Sequence, residues 1–257
     1  MNKILLFLCF ILLSCRGEIK QIECTTPIGE LLFSESMIEW GIINMENKYL
    51  RKINVYNPTK KDIYFKVLKE HPEITVLRWC GGSLLSAEEV FLLPKHGIDS
   101  LFVSFYGRDT SLFGQYHEAI HFETNGEILV TGLQMDGVII ENFNQDSFIA
   151  PPCISIERDT FEFNLFQGNN ELIKIPVRIK NIGDKDLVIR KIESTCGCAT
   201  PKIENRLIAN GQYTTLHIDY QPQAQIGSSV QKIRLITNDP RTPLKMIVIK
   251  SHVKSKN

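Results

Sequence analysis

The sequence lacks the features that would place it in several large classes of protein. Lysine plus arginine equal aspartate plus glutamate at 29 each, so no excess of positive charge favours nucleic acid or an anionic membrane surface as a partner. After residue 20 no apolar run approaches the roughly 20 residues that a membrane-spanning helix needs. A Gly-x-Ser-x-Gly elbow, a phosphate-binding loop and a dinucleotide fingerprint are all missing. We therefore predict a protein that is not an enzyme, has no cofactor and no resident metal, and binds no nucleic acid.

The sequence also lacks a long segment with the periodicity of an amphipathic helix. It contains short segments in which polar and apolar residues alternate. Residues 174–180, 216–220 and 232–237 alternate polar and apolar side chains, which is typical of strands with one buried face. Turn-forming pairs such as Asn210-Gly211 and Asn125-Gly126 separate such segments. This pattern predicts an all-β fold of the sandwich type.

The first fifteen residues have the layout of a secretory signal. Lys3 precedes a run of about ten apolar residues, and residues 12–15 read Leu-Leu-Ser-Cys. This ending resembles the lipobox of bacterial lipoproteins, in which the cysteine is lipidated and becomes the first residue after cleavage. The resemblance implies a signal peptide at 1–14, a lipidated Cys15 with a tether at 15–30, and a membrane partner through that anchor. An ordinary cleavable signal and an uncleaved anchor are the alternatives. Because Arg16 rather than an acidic residue follows Cys15, we expect a cell-envelope protein on the outer membrane, facing the periplasm.

The rest of the chain contains two similar halves. Segments 38–41, 50–57 and 76–82 of the first half find counterparts at 161–164, 173–181 and 192–198 of the second. In this alignment Cys80 matches Cys196, and the first half has about eight extra residues ahead of its cysteine. We predict two tandem immunoglobulin-like β-sandwiches, a divergent copy at 31–149 and a second copy at 150–257, joined at Ala150-Pro151-Pro152, where prolines stiffen a short linker.

The second copy resembles a bacterial domain family of unknown function that is marked by Cys-Gly-Cys and related to the immunoglobulin-like domains of hydin and major sperm protein. The matching residues are 161–163, 181–184, Cys196-Gly197-Cys198, Gly211 and 237–240. The resemblance implies the fold and the cellular setting rather than a reaction. The first copy departs from it, because Cys80-Gly81-Gly82 lacks the second cysteine.

Three interpretations of Cys196 and Cys198 stay open. The pair is a packed structural corner, a reversible disulfide, or a pair of thiolates for a soft ion such as Cu(I). Because the motif follows a strand end, we expect both sulfurs to be partly accessible. Cys24 and Cys153 each open one copy, and either could form a bridge within its copy, for example Cys24 with Cys80; sequence alone does not assign the pairing.

His117-Glu118-Ala119-Ile120-His121 matches the zinc-protease signature His-Glu-x-x-His. That mechanism needs a helix, on which residues four apart share one face. Here the segment alternates with period two, so we predict a strand, in which the two histidines lie roughly 13 Å apart at about 3.3 Å per residue. Zinc–nitrogen bonds of about 2.0–2.1 Å cannot span that separation.

The leading hypothesis is a lipid-anchored, non-enzymatic interaction or structural module that binds another envelope protein through an exposed strand edge or loop face. The alternative is a thiol-redox or copper-handling protein that uses Cys196 and Cys198.

Overall fold

The computed structural model describes residues 24–68, 70–80, 83–168, 171–222 and 225–255, with the backbone alone for 79–80 and 83–84. These residues form 22 strands and two 3-10 helices, at Thr110–Leu112 and Gln145–Phe148. Within them, no helix has the length and apolar character needed to cross a bilayer. The predicted leader and the predicted lipidation site, Cys15, lie outside the described residues.

The first half contains thirteen strands that form two facing layers. One layer has the order β1-β2-β4-β9-β6-β7. The other is built from the sheets β10-β13-β3 and β12-β11-β5-β8, in which β10 and β11 are one strand interrupted at His121. The strands are β1 (Thr26–Ile28), β2 (Leu31–Phe33), β3 (Met37–Asn44), β4 (Tyr49–Tyr56), β5 (Ile63–Val67), β6 (Ile74–Cys80), β7 (Ser83–Ser86), β8 (Phe91–Leu93), β9 (Ile98–Phe105), β10 (Gly114–Ile120), β11 (Phe122–Thr124), β12 (Glu127–Ile128) and β13 (Leu133–Ile140).

The second half contains nine strands in two sheets, with the orders β14-β16-β20-β18 and β15-β22-β21-β17-β19. They are β14 (Ile154–Ile156), β15 (Thr160–Phe166), β16 (Ile173–Asn181), β17 (Leu187–Ser194), β18 (Ala199–Ile203), β19 (Leu207–Ile208), β20 (Tyr213–Tyr220), β21 (Gly227–Thr237) and β22 (Leu244–Lys254). The alternation of β16 places Ile175, Val177 and Ile179 in the core, with the residues between them exposed.

The two halves share one pairing scheme. The order β2-β4-β9-β6 in the first corresponds to β14-β16-β20-β18 in the second, and in both halves an early strand runs parallel to the last one. Each half encloses its own hydrophobic core, although Ile236 of β21 belongs to the first core and Leu244 packs against it. The expectation of two tandem immunoglobulin-like sandwiches is confirmed.

A buried asparagine repeats at the end of β4 and of β16. Asn57 and Asn181 are both fully buried. The Nδ2 of Asn181 donates to the carbonyls of Lys185 and Ile208, at 2.8 and 2.9 Å. The Nδ2 of Asn57 makes the same two bonds, to the carbonyls of Lys61 and Leu93, at 2.8 and 3.1 Å. The side chain thus satisfies backbone acceptors that a turn would otherwise leave buried and unpaired.

The predicted alignment of Cys80 with Cys196 is wrong. β9 and β20 are equivalent strands, and Leu101 and Leu216 occupy the same position in them. Leu101 pairs with Arg78 and Leu216 pairs with Ile203, so Arg78 of β6 corresponds to Ile203 of β18. Cys80 therefore lies at the far end of β6, whereas Cys196 and Cys198 precede β18. The extra residues of the first copy follow β6 and form its hairpin with β7, rather than preceding the cysteine. Cys80 and the Cys196–Cys198 pair lie in similar sequences but at opposite ends of equivalent strands.

Candidate functional site

Cys196 and Cys198 form a disulfide in the turn that links β17 to β18, one strand from each sheet. Their Cα atoms lie 5.2 Å apart. Two hydrogen bonds fix the turn, since Ser194 Oγ donates to the carbonyl of Cys196 at 2.7 Å and the amide of Gln221 donates to the carbonyl of Cys198 at 2.7 Å. The bridge therefore closes a corner between the two layers of the second sandwich.

One side of this corner is in solvent. Both cysteines are half-buried against the second core, and Gly197 between them is exposed, with no atom within 4 Å of the position that a Cβ would take. Among the described residues no group of three or more histidine, cysteine, aspartate or glutamate side chains could hold a metal ion. The structure thus presents the pair as a bridged, partly accessible corner.

The cysteines that open the two copies are free thiols. Neither Cys24 nor Cys153 forms a bridge, so Cys24 does not pair with Cys80. Burial raises the pKa of both thiols, and the nearby Asp239 carboxylate raises that of Cys153 further. A raised pKa keeps a thiol protonated and unreactive at neutral pH.

The His-Glu-x-x-His segment lies on β10 and on the residue after it, so the predicted strand is confirmed. The two histidines contact different carboxylates: His117 Nδ1 lies 3.3 Å from Asp136 Oδ2, and His121 Nδ1 lies 2.6 Å from Glu70 Oε2. An extended backbone at this segment rules out the shared helical face that the zinc-protease mechanism needs.

The edge strand β15 presents unused backbone groups. β15 ends the sheet order of the described residues and pairs only with β22, in parallel. The amide of Val248 donates to the carbonyl of Asp159, and the amide of Gln167 donates to the carbonyl of Lys254. Because backbone groups alternate in direction along a strand, odd-numbered residues from 159 to 167 face β22. The N–H and C=O groups of Thr160, Glu162, Asn164 and Phe166 therefore point away from the sheet.

The side chains of β15 are apolar toward the core. Phe161 and Phe163 pack against the second core but stay half-exposed, and the ring of Phe163 stacks on Tyr220 with centroids 6.1 Å apart. Phe166 at the end of the strand is 57% exposed. A further strand laid beside β15 would cover Phe161 and Phe163 on the core face, whereas Phe166 lies on the opposite face.

Two cations modify the edge. Arg158 Nε donates to the carbonyl of Thr160 at 2.8 Å, and its guanidinium lies over the Phe161 ring, so the first outward carbonyl is already engaged. Lys250 Nζ donates to Glu162 Oε1 at 2.9 Å, and this bond lowers the pKa of the Glu162 carboxyl. The open part of the edge thus runs from Glu162 to Phe166 and carries one charge, which is already paired.

Several other edges carry features that hinder pairing. β3, the counterpart of β15, has an extra residue at Trp40, and Gly41 follows with φ +67°; such a bulge twists an edge away from a partner. β18 contains Pro201 and Lys202. The edge strands β1, β14, β8 and β19 have three residues or fewer.

The two sandwiches are joined by polar contacts that also line a cleft. Arg190 of β17 forms two hydrogen bonds with the Glu141 carboxylate, at 2.8 and 3.1 Å. The amide of Gln115 donates to Glu193 Oε2 at 2.8 Å. The cleft beside the Arg190–Glu141 pair has a volume of about 470 Å³. The Glu141 carboxylate at this cleft is thus held in an ion pair between the two copies.

Comparisons with known proteins find a family model that matches the second copy. Residues 154–253 match the model of a family described as "Protein of unknown function (DUF1573)". A search of curated proteins found no match. The family match covers the segment that resembles the Cys-Gly-Cys domain family, and it assigns this segment no activity.

Solved structures extend the likeness to most of the chain. A protein of unknown function from Porphyromonas gingivalis W83 is 20% identical, with a TM-score of 0.64, over 87% of this chain and 100% of its own. It shares the fold. The PapD-like domain 7 of human CEP192 is 15% identical over 46% of this chain and 92% of its own, with a TM-score of 0.31. WR4, a C. elegans MSP family member, is 14% identical over 39% of this chain and 97% of its own, with a TM-score of 0.27.

Sequence reasoning noticed β15 only as one half of a repeat. Its sequence, Thr-Phe-Glu-Phe-Asn-Leu-Phe, has one charge and no proline or glycine, which is the composition of an unprotected strand. The composition of β15 could therefore be read from the sequence. The position of β15 at the sheet edge could not, because it depends on the long-range parallel pairing with β22.

Proposed function

We propose that this chain is a lipid-anchored cell-envelope protein, held by Cys15 at the outer membrane and facing the periplasm, that acts as a non-enzymatic interaction module. Its second sandwich binds another envelope protein by accepting an extended segment of that protein beside β15. One observation carries this proposal: β15 is a regular seven-residue edge strand whose outward backbone groups from Glu162 to Phe166 have no partner strand among the described residues.

The energy of such binding comes from two sources. Each backbone hydrogen bond contributes about 0.5–1.5 kcal/mol net, so three outward residues with two groups each supply roughly 3–9 kcal/mol before the cost of ordering the incoming segment. Apolar side chains at alternate positions of that segment would cover Phe161 and Phe163, which are half-exposed. The partner is therefore expected to present a strand with apolar residues every second position.

Asn164 offers a direct test of the edge. Its N–H points outward, so Asn164→Pro removes one donor and places a ring where the partner backbone must approach, while the bonds to β22 stay intact. Asn164→Ala is the matched control because it keeps the N–H. A photoreactive amino acid at position 162 is used in intact cells to capture the partner.

The expected result is a crosslinked species with the unaltered chain and with Asn164→Ala that disappears with Asn164→Pro. Far-ultraviolet circular dichroism and thermal midpoints of the three proteins establish that all are folded. Equal crosslinking by the proline variant would exclude β15 as the binding edge.

The anchor is tested separately. Cys15→Ser is expected to abolish incorporation of labelled palmitate and to release the chain from the membrane fraction, because no other lipid attachment is proposed. Palmitate labelling that persists in Cys15→Ser would contradict the anchor without bearing on β15.

A second candidate function is thiol redox chemistry at Cys196 and Cys198, favoured by the half-exposed bridge. A dithiol reductant would deliver two electrons and two protons, leave two thiols here and become a disulfide itself. The two thiols so formed could also hold Cu(I). The double variant Cys196→Ser/Cys198→Ser is compared with the unaltered chain for thiol exchange with glutathione and for Cu(I) retention. Identical behaviour of the two proteins would remove this candidate.

A further inference from the structure

We infer that, without its partner, β15 is covered by β15 of a second copy, so that the chain forms a two-fold dimer with a continuous sheet across the interface. This inference rests on the proposed use of β15 and names what occupies the edge when no other segment does. An unpaired regular edge is a template for any strand, and two identical edges related by a two-fold axis meet antiparallel.

The register follows from which backbone groups are free. Only even-numbered residues of β15 face outward, so even residues must oppose even residues. When Phe163 lies on the two-fold axis, Glu162 opposes Asn164 of the second copy, and the reverse pair forms by symmetry. These two pairs give four backbone hydrogen bonds. Thr160 then opposes Phe166, a second kind of pair that requires Arg158 to release the Thr160 carbonyl.

Side-chain chemistry favours this register over its neighbour. On the outward face the charge of Glu162 meets the neutral amide of Asn164, and the Glu162–Lys250 bond is preserved. On the core face Phe163 meets its own copy and Phe161 meets Leu165, so the half-exposed rings are covered. A shift by one pair that puts Glu162 on the axis would place Glu162 directly opposite Glu162, and like charges so placed are destabilising. A shift the other way puts Asn164 on the axis and sets the charge of Glu162 opposite the apolar ring of Phe166.

β3 is unsuited to the same contact, although it occupies the equivalent place in the first copy. Its bulge at Trp40 puts an extra residue in the strand, so the outward groups do not keep the alternation that two-fold pairing needs. The dimer is thus specific to the second sandwich.

Cysteine crosslinking in the full chain tests the register. Glu162→Cys and Asn164→Cys are prepared as separately tagged proteins. Opposed residues in a hydrogen-bonded pair have Cα atoms about 5.5 Å apart, within the range of a disulfide, whereas two cysteines at position 162, one from each copy, would be more than about 7 Å apart. After mild oxidation, linked peptides are identified by mass spectrometry. This step distinguishes links between the introduced cysteines from links that involve the free thiols of Cys24 and Cys153.

We expect the 162–164 link only in the mixed sample. Asn164→Pro should weaken self-association measured by sedimentation roughly tenfold or more, because each copy loses a donor, and Asn164→Ala should leave it unchanged. Arg158→Ala should strengthen it, since the Thr160 carbonyl becomes free.

The outcomes separate this inference from the proposed function. A monomer at all concentrations, or a 162–162 link in the single-variant sample, overturns the proposed dimer. If the chain is a monomer but Asn164→Pro still abolishes the crosslink to another protein in cells, the proposed binding edge stands and only the self-pairing fails. If Asn164→Pro changes neither, both fail.

Discussion

Asn181 offers the sharpest test of what holds the second sandwich together. Its fully buried side chain donates to the carbonyls of Lys185 and Ile208 and accepts from the amides of Gly183 and Cys153, at 2.9 and 3.3 Å. Asn181→Ala removes all four bonds and strands the buried carbonyl of Ile208. A lost bond costs about 1 kcal/mol, and a stranded buried partner costs about 1–3 kcal/mol. Three lost bonds and one stranded partner should therefore lower the free energy of unfolding of this sandwich by roughly 4–6 kcal/mol.

The assay uses the distribution of tryptophan. Trp40 and Trp79 both belong to the first copy, so their fluorescence follows that sandwich, while far-ultraviolet circular dichroism follows both. In urea, with a slope of about 2 kcal/mol per molar, the dichroism transition of Asn181→Ala should shift down by roughly 2–3 M. Asn57→Ala should instead shift the fluorescence transition, and the exposed Asn210→Ala should shift neither. A change below about 0.5 kcal/mol in Asn181→Ala would refute the reasoning.

Three further outcomes are expected. Gly114→Ala should lower the free energy of unfolding by roughly 2–3 kcal/mol in the same urea assay, because φ is +98° there and the carboxylate of Glu193 occupies the place of a Cβ. Burial and a hydrogen bond to Glu73 raise the pKa of Tyr116. The neutral hydroxyl is therefore favoured when folded, and stability should fall as the pH rises above about 10, less steeply in Tyr116→Phe. His117→Ala should leave calorimetric zinc binding unchanged, and a tight site lost in that variant would revive the metalloprotease hypothesis.

The alternation of side chains was sufficient to predict much of the fold. Period-two segments such as 174–180 became strands with the expected buried faces, because burial of one face is a local property of the pattern. The same reasoning placed His117 on a strand and removed the zinc-protease hypothesis without any coordinates. The predicted repeat also appears in the structure at Asn125 and Asn238, whose Oδ1 atoms accept from the amides of Tyr64 and Val188, the second residues of the equivalent strands β5 and β17.

The prediction that failed was based on similar residue types and did not take the strand registers into account. Cys80 and Cys196 look alike in sequence, yet pairing with β9 and β20 shows that they lie at opposite ends of equivalent strands. By the same registers, His71 and Glu73 occupy the places of Cys196 and Cys198. The disulfide itself stayed one of three interpretations, because two cysteines around a glycine are compatible with a bridge, a packed corner or a thiolate pair. Only the folded turn brings their Cα atoms to 5.2 Å.

The difference between β3 and β15 explains why two sandwiches that share one pairing scheme need not do the same thing. In the first, the bulge at Trp40 turns the ring toward Tyr49, with centroids 6.1 Å apart, and Gly41 breaks the alternation of the outer edge. In the second, the equivalent strand keeps seven regular residues and leaves Phe163 half-exposed. Inserting a glycine between Phe163 and Asn164 should therefore transfer the bulge, and with it the resistance to strand pairing, to the second sandwich. Persistence of both the dimer and the crosslink in that variant would mean that the edge of β15 is not what distinguishes the two copies.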